Sequence, residues 1–247
     1  MNSYGRAFSN IPPVTKNLII INVIMLLATE TSQRVFNFNL IGLLGLHFPA
    51  SELFRPYQIV THMFMHGGMP HLFFNMFALF MFGRVLESAW GPKRFFIYFI
   101  VTGLGAALIH EAVIAFEYFQ VINSMAPDAI EMVQSRGYEA WASGQNFTNP
   151  LAGKLNALLN TSTVGASGAV FGVLLAFGML FPNTPLYIMF IPVPIKAKYL
   201  VIGYGALELY LAIAQPGSSI AHAAHLGGML FGYILIKYWR KTTKTLY

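Results

Sequence analysis

The sequence contains no cysteine in its 247 residues, which excludes disulfides, thiol catalysis and thiolate metal sites. Charge is scarce as well. Only 10% of the residues are Asp, Glu, Lys or Arg, against about 25% in an ordinary soluble domain. Four stretches carry no charged residue at all: Pro56–Gly83, Phe95–His110, Leu155–Ile195 and Leu209–Ile236. What fills them is apolar, 56% of the chain overall, with a mean hydropathy of +0.58. About 20 apolar residues in a helix cross a bilayer, and a helix satisfies its own backbone hydrogen bonds in lipid. The chain is therefore expected to be an all-α, polytopic membrane protein.

The hydropathy pattern places six spans at about 14–33, 70–87, 94–115, 164–181, 197–214 and 220–239. Residues 1–13 then form an N-terminal segment, 14–239 the membrane domain and 240–247 a basic tail. Leu18–Ala28 follows Lys16 as a signal peptide would, but no small-x-small cleavage site follows, so it reads as the first span. With the N-terminus inside, eleven of the fifteen Lys and Arg residues fall on the inner side, leaving Arg34, Arg55, Arg136 and Lys154 outside. This is the positive-inside asymmetry. It assigns the net charge of +6 to membrane orientation rather than to nucleic acid. Both termini are expected in the cytoplasm, and the tail beside Tyr238 and Trp239 reads as an interfacial anchor.

Two long segments fall on the outer side. Residues 36–69 are apolar yet broken by Gly42, Gly45, Pro49 and Pro56, which suggests a loop lying partly in the interface. Residues 117–159 are acidic, and "APDAIEMVQSRG" within them has the order of a short helix. The sequons "NFT" and "NTS" matter only in a secretory compartment.

Small residues form two stripes at four-residue spacing: Gly168, Gly172 and Ala176 on the fourth span, and Ala224, Gly228 and Gly232 on the sixth. Such stripes let membrane helices approach closely. Ser167 stands immediately before the first stripe, and His225 follows the first residue of the second. Both spans enter from the outer side, so serine and histidine are expected at matched depth, a few to roughly 10 Å below the surface. Ser–His is a workable nucleophile–base pair. Glu208 is the sole acid of the last three spans. It could orient His225 only if the fifth span turned that way, and it reads as a packing or cavity residue. His71 and Asn75, four apart on one face of the second span, could donate to a developing oxyanion together with the Ser167 backbone N–H. The alternative for this pair is bonding between helices. Zinc ligation by His62, His66, His71, His222 and His225 lacks an HExxH motif and a nearby outer acid, so no metal or cofactor is expected.

Together these residues resemble the rhomboid family of intramembrane serine proteases. The matches are "GASG" (Gly165–Gly168), "AHLGG" (Ala224–Gly228) and "HLFFN" (His71–Asn75), in that family's helix order. "FR" at Phe54–Arg55 stands where the family has an aromatic–arginine loop motif, with Phe54 in place of the usual tryptophan. Glu87 ends "GRVLE" after the second span, and a polar contact between Arg55 and Glu87 is a guess that goes with this position. The resemblance implies a six-helix bundle with Ser167 as nucleophile, His225 as general base, and His71 and Asn75 as oxyanion donors. Gly165, Gly168, Ala224 and Gly228 would pack around the site. His222 lacks the following glycine of the motif, so the base falls on His225. The resemblance further implies transmembrane-helix substrates cut near their outer end and, for a bacterial chain, the inner membrane. The competing expectation is a silent relative that binds transmembrane helices without cutting them.

Overall fold

The computed structural model describes residues 11–187, 193–214 and 222–242. The start of the N-terminal segment, positions 220–221 of the last expected span and residues 243–247 of the tail lie outside the described residues. The chain is helical almost throughout. Helix α1 (Pro13–Phe36) is followed by the short α2 (Leu40–Leu44) and α3 (Gln58–Thr61), the last running into a 3-10 turn at His62–Phe64. Helix α4 (Met69–Ala78) passes through a π-helical turn (Leu79–Gly83) into α5 (Arg84–Trp90). Then come α6 (Pro92–Ile122), α7 (Pro127–Ala142), α8 (Pro150–Asn160) and α9 (Ser167–Leu180). A two-residue antiparallel pair, β1 (Pro185–Leu186) and β2 (Ile195–Lys196), precedes α10 (Ala197–Ala214) and α11 (His222–Thr242).

Among the described residues, four helical stretches are long and apolar enough to cross a membrane: α1, the continuous Met69–Trp90, α6 and α10. The other two expected spans differ in kind. Helix α9 is strongly apolar but has 14 residues, and α11 has 21 residues with its apolar run diluted by His222, His225 and Lys237. The chain is an integral membrane protein by this helix set.

The core is built where α6, α9 and α11 meet. Phe95, Tyr98 and Phe99 of α6 are fully buried, and the small residues opposite them make room. A side chain at Gly172 would run into Thr102, one at Gly232 into Tyr98, and one at Gly228 into the backbone of Gly168. Tyr98 uses the same proximity to donate its hydroxyl to the Gly172 carbonyl at 2.8 Å. Buried hydroxyls need such partners because no water replaces them.

The two segments expected on the outer side are more ordered than their sequence announces. Gln58 is fully buried in the first. Its side-chain oxygen accepts from the Arg55 N–H at 3.0 Å and the His47 N–H at 3.3 Å, and its amide donates to the carbonyls of Leu53 at 3.0 Å and Leu43 at 3.2 Å. In the second, α7 continues past Gly137 to Ala142 because Gly137 faces Asn156 on α8 without a side chain in the way. A separate apolar cluster of Phe48, Val121, Val133, Ala152, Leu155 and Leu159 joins α7 and α8 to the outer end of α6. Both sequon asparagines spend their side-chain amides internally, Asn146 on the Gly153 carbonyl and Asn160 on Asn156.

Glu87 and Arg55 do not pair. Glu87 is buried at the start of α1, where its carboxylate accepts from the N–H groups of Val14 (2.9 Å) and Thr15 (2.7 Å) and from the Thr15 hydroxyl (2.8 Å). The first N–H groups of a helix have no partner of their own, and an anion there also meets the positive end of the helix dipole. Arg55 instead donates to the nearby carbonyls of Glu52 and Phe54.

Candidate active site

Ser167 is the first residue of α9. The turn leading into it is fixed from the outer loop: Leu46 and Thr163 exchange backbone hydrogen bonds at 2.9 and 2.7 Å, and the Gly165 N–H donates to the His62 carbonyl at 2.9 Å. Gly165 has φ +132°, a backbone conformation that glycine adopts at little cost. Its missing side chain also matters, because a Cβ there would lie 2.8 Å from Cε1 and 2.9 Å from Nε2 of His71. That glycine lets the His71 ring come up against the serine turn.

His225, on α11, places Nε2 2.9 Å from Ser167 Oγ. The separation follows from helix packing. Gly228 lies on the Gly168 backbone, and Gly168 in turn fits against Ala106 of α6 and the Ala224 carbonyl. The ring of His225 is stacked on Phe171, one turn along α9 from Ser167, with centroids 4.1 Å apart and planes 6° apart. Phe171 carries no motif in the sequence. Its i+4 spacing from Ser167 is the signal that could have found it.

His71 and Asn75 share the buried face of α4. The Gly67 N–H points at His71 Nδ1 at 3.4 Å. A nitrogen that accepts there leaves the ring proton on Nε2, the side turned toward Gly165. Asn75 is buried, and its amide donates to the His71 carbonyl at 3.1 Å, so its observed bond is to its own helix rather than to Ser167. Behind the serine, a small cavity is lined by His62, His110, Thr163, Gly165, Ser167 and Ala224, with His110 Nε2 and Thr163 Oγ1 2.8 Å apart.

Glu208 is not a packing residue. Helix α10 turns it inward, and its Oε2 lies 2.6 Å from His222 Nδ1 and 3.0 Å from His225 Nδ1. The first contact is a hydrogen bond. The second is not a hydrogen bond, so His225 Nδ1 has no hydrogen-bond acceptor but lies beside a carboxylate. Gly205, three residues before Glu208, faces α11, where a Cβ built on it would lie 3.4 Å from Met229. These three donor atoms lie within 4.8 Å of one another. Tetrahedral zinc ligands stand roughly 3.3 Å apart when each is about 2.0–2.1 Å from the ion. The 2.6 Å contact has the spacing of a shared proton instead.

Residues 53–242 match the Rhomboid domain. The chain belongs to the rhomboid family. Among curated relatives, it is 26% identical over 183 residues to Rhomboid protease AarA of Providencia stuartii, covering 70% of this chain and 52% of that protein. It is 27% identical over 177 residues to RHOMBOID-like protein 12, mitochondrial, of Arabidopsis thaliana, covering 70% of this chain and 44% of the relative. Against Rhomboid protein 1, mitochondrial, of Saccharomyces cerevisiae (strain ATCC 204508 / S288c), the identity is 27% over 177 residues, 72% and 40% of the two chains. This rhomboid thus spans about half the length of the curated relatives it matches. Helix α1 precedes the matched region.

Proposed function

We propose that this rhomboid is an intramembrane serine endopeptidase. The observation that carries the reading is the 2.9 Å contact between His225 Nε2 and Ser167 Oγ on two helices packed glycine to glycine. In attack, the Ser167 hydroxyl proton passes to His225 Nε2 while Oγ bonds to the scissile carbonyl carbon. Collapse of the tetrahedral intermediate breaks the C–N bond, and the imidazolium returns its proton to the leaving amine. Water then repeats the sequence on the acyl-enzyme, releasing the acid product and free Ser167. The oxyanion is met by the Ser167 backbone N–H, free at the helix start, by His71 Nε2–H, and by Asn75 once its amide turns from its own helix.

The proposed topology has six spans with both termini inside, and for a bacterial chain the inner membrane. Helix α9 has 14 residues, about 21 Å at ~1.5 Å per residue, against a hydrocarbon core of about 30 Å. With its C-terminal end at the inner boundary, Ser167 lies about 9 Å beneath the outer one. Substrates are accordingly transmembrane helices, cut near their outer ends where water reaches the acyl-enzyme.

The test is cleavage of a single-span substrate by the purified protein in liposomes, with the Ser167→Ala variant alongside. We expect cutting in the outer third of the span and covalent labelling of Ser167 by a fluorophosphonate, both absent in the variant. Equal cleavage by the variant, or none by either, would sink the protease reading, the latter in favour of a helix-binding rhomboid.

A further inference from the structure

Helix α10 has three buried residues, Ala197, Val201 and Glu208, and the last is an acid in the apolar run that follows Lys198. Such a group is costly to bury unless its charge has partners. It has two. One carboxylate oxygen lies between His222 Nδ1 and His225 Nδ1, at 2.6 and 3.0 Å.

This arrangement decides something that stacking alone leaves open. Phe171 fixes the plane of the His225 ring, but a half-turn of the ring within that plane exchanges nitrogen for carbon at both edges. It would carry Nε2 away from Ser167. A carboxylate 3.0 Å from Nδ1 favours the orientation with Nδ1–H facing it and disfavours a lone pair there. In a neutral imidazole the other nitrogen then holds the lone pair, and that nitrogen is the one 2.9 Å from Ser167 Oγ.

We propose that Glu208 is a positioning residue for His225. Its carboxylate selects the orientation and tautomer that make His225 a base, and it stabilises the imidazolium formed as Ser167 loses its proton. His222 holds the carboxylate in place. Its Nδ1 is spent on Glu208 and its buried Nε2 has no partner, so it has no second task in the site. No proton passes to Glu208. The other titratable groups near His225 are His222 on its own helix, His71 on α4 and His110 on α6. Among the described residues, Glu208 is the anion in contact with it. The inference rests on the Ser167–His225 reading.

The experiment measures kcat, KM and the pH profile of liposome-embedded wild type, Glu208→Gln, Glu208→Asp and Ser167→Ala. Neutralising the buried carboxylate of a serine protease triad costs about 10⁴-fold. The contact here, close but without a hydrogen bond, should be worth less, roughly 10- to 100-fold in kcat with KM within about twofold. The acid limb of the kcat profile should move to lower pH in Glu208→Gln, because the imidazolium loses its counter-charge. Glu208→Asp should recover part of kcat and keep the wild-type limb, and it carries the test should the Gln variant fail to fold. A wild-type kcat in Glu208→Gln overturns the proposal. So does a loss of kcat with an unmoved acid limb and no recovery in Glu208→Asp, which is the mark of a structural role. Absence of Ser167-dependent cleavage in the wild type would bring down the protease reading and this inference with it, a result distinct from both.

Discussion

In the proposed mechanism Ser167 and His225 act as a pair, so Ser167→Ala and His225→Asn should each remove nearly all cleavage, with little further loss when combined. His71→Ala and Asn75→Ala should be milder, because each takes one donor from a developing oxyanion and leaves the nucleophile intact. Losses of about 10²–10³-fold in kcat suit a good donor, and Asn75 should fall at or below the lower end because its amide starts out bonded to His71. A steady-state assay of the four variants checks this order; a dead Asn75→Ala beside a nearly normal His71→Ala would reverse it. Chelation should change nothing, since the proposed chemistry routes no step through a metal. Activity lost in EDTA and restored by zinc would redirect attention to Glu208, His222 and His225. The approach of Ser167 to His225 was legible in the sequence because each stands beside a small-residue stripe. Glu208 was not, because α10 is apolar around most of its surface and hydropathy does not say which way a lone acid turns.

Elements outside the catalytic pair are held by single polar residues. Gln58 ties four backbone groups of the outer loop together, and Gln58→Leu would leave two carbonyls and two N–H groups without their partner. At about 1–3 kcal/mol per unsatisfied buried group, even partial relief by water should leave a visible fall in the thermal midpoint and faster proteolysis within residues 36–69. Unchanged melting and digestion would mean that the loop is held elsewhere. The helices of the bundle were foreseeable from apolar runs, since lipid leaves the backbone few other options. The order of the two outer segments was not. It depends on a fully buried Gln58 and on Asn156 of α8 facing Gly137, residue types that in a sequence look like surface loop. The π-helical turn at Leu79–Gly83 left no sequence signal that hydropathy could carry.

At the scale of the whole molecule, the segment between the first two long helices is rich in buried imidazoles, His47, His62 and His66. Burial, with His71 beside it, pushes His66 down from its ordinary 6.5 to about 4, and burial lowers His47 and His62 as well. The unfolded chain therefore takes up these protons first. The stability tied to His66, roughly 3 kcal/mol for this displacement, is complete above about pH 6.5 and is lost as the pH falls toward 4. Thermal melts in detergent between pH 4 and 7.5 should show that slope, and His66→Phe should flatten it; a slope identical in the variant would exclude His66. The proposed outer placement of Ser167 carries a prediction about substrates. Gly or Pro introduced near the outer end of a resistant Leu-rich span should convert it into a substrate, while the same change near the inner end should not. Equal gains from both ends would contradict the placement of Ser167 beneath the outer surface.

The carboxylate that caps α1 has a consequence for how the molecule is made. Thr15 and Glu87 are separated by 72 positions along the chain, so α1 leaves the ribosome long before its cap exists. Until α4 and α5 have followed it into the bilayer, the N–H groups of Val14 and Thr15 must rely on water or lipid headgroups at the membrane surface. The newborn first helix is thus free to slide and tilt, and its final height is set retroactively, when the second hairpin arm arrives. A chain interrupted before Glu87 would carry a membrane anchor without a fixed seat.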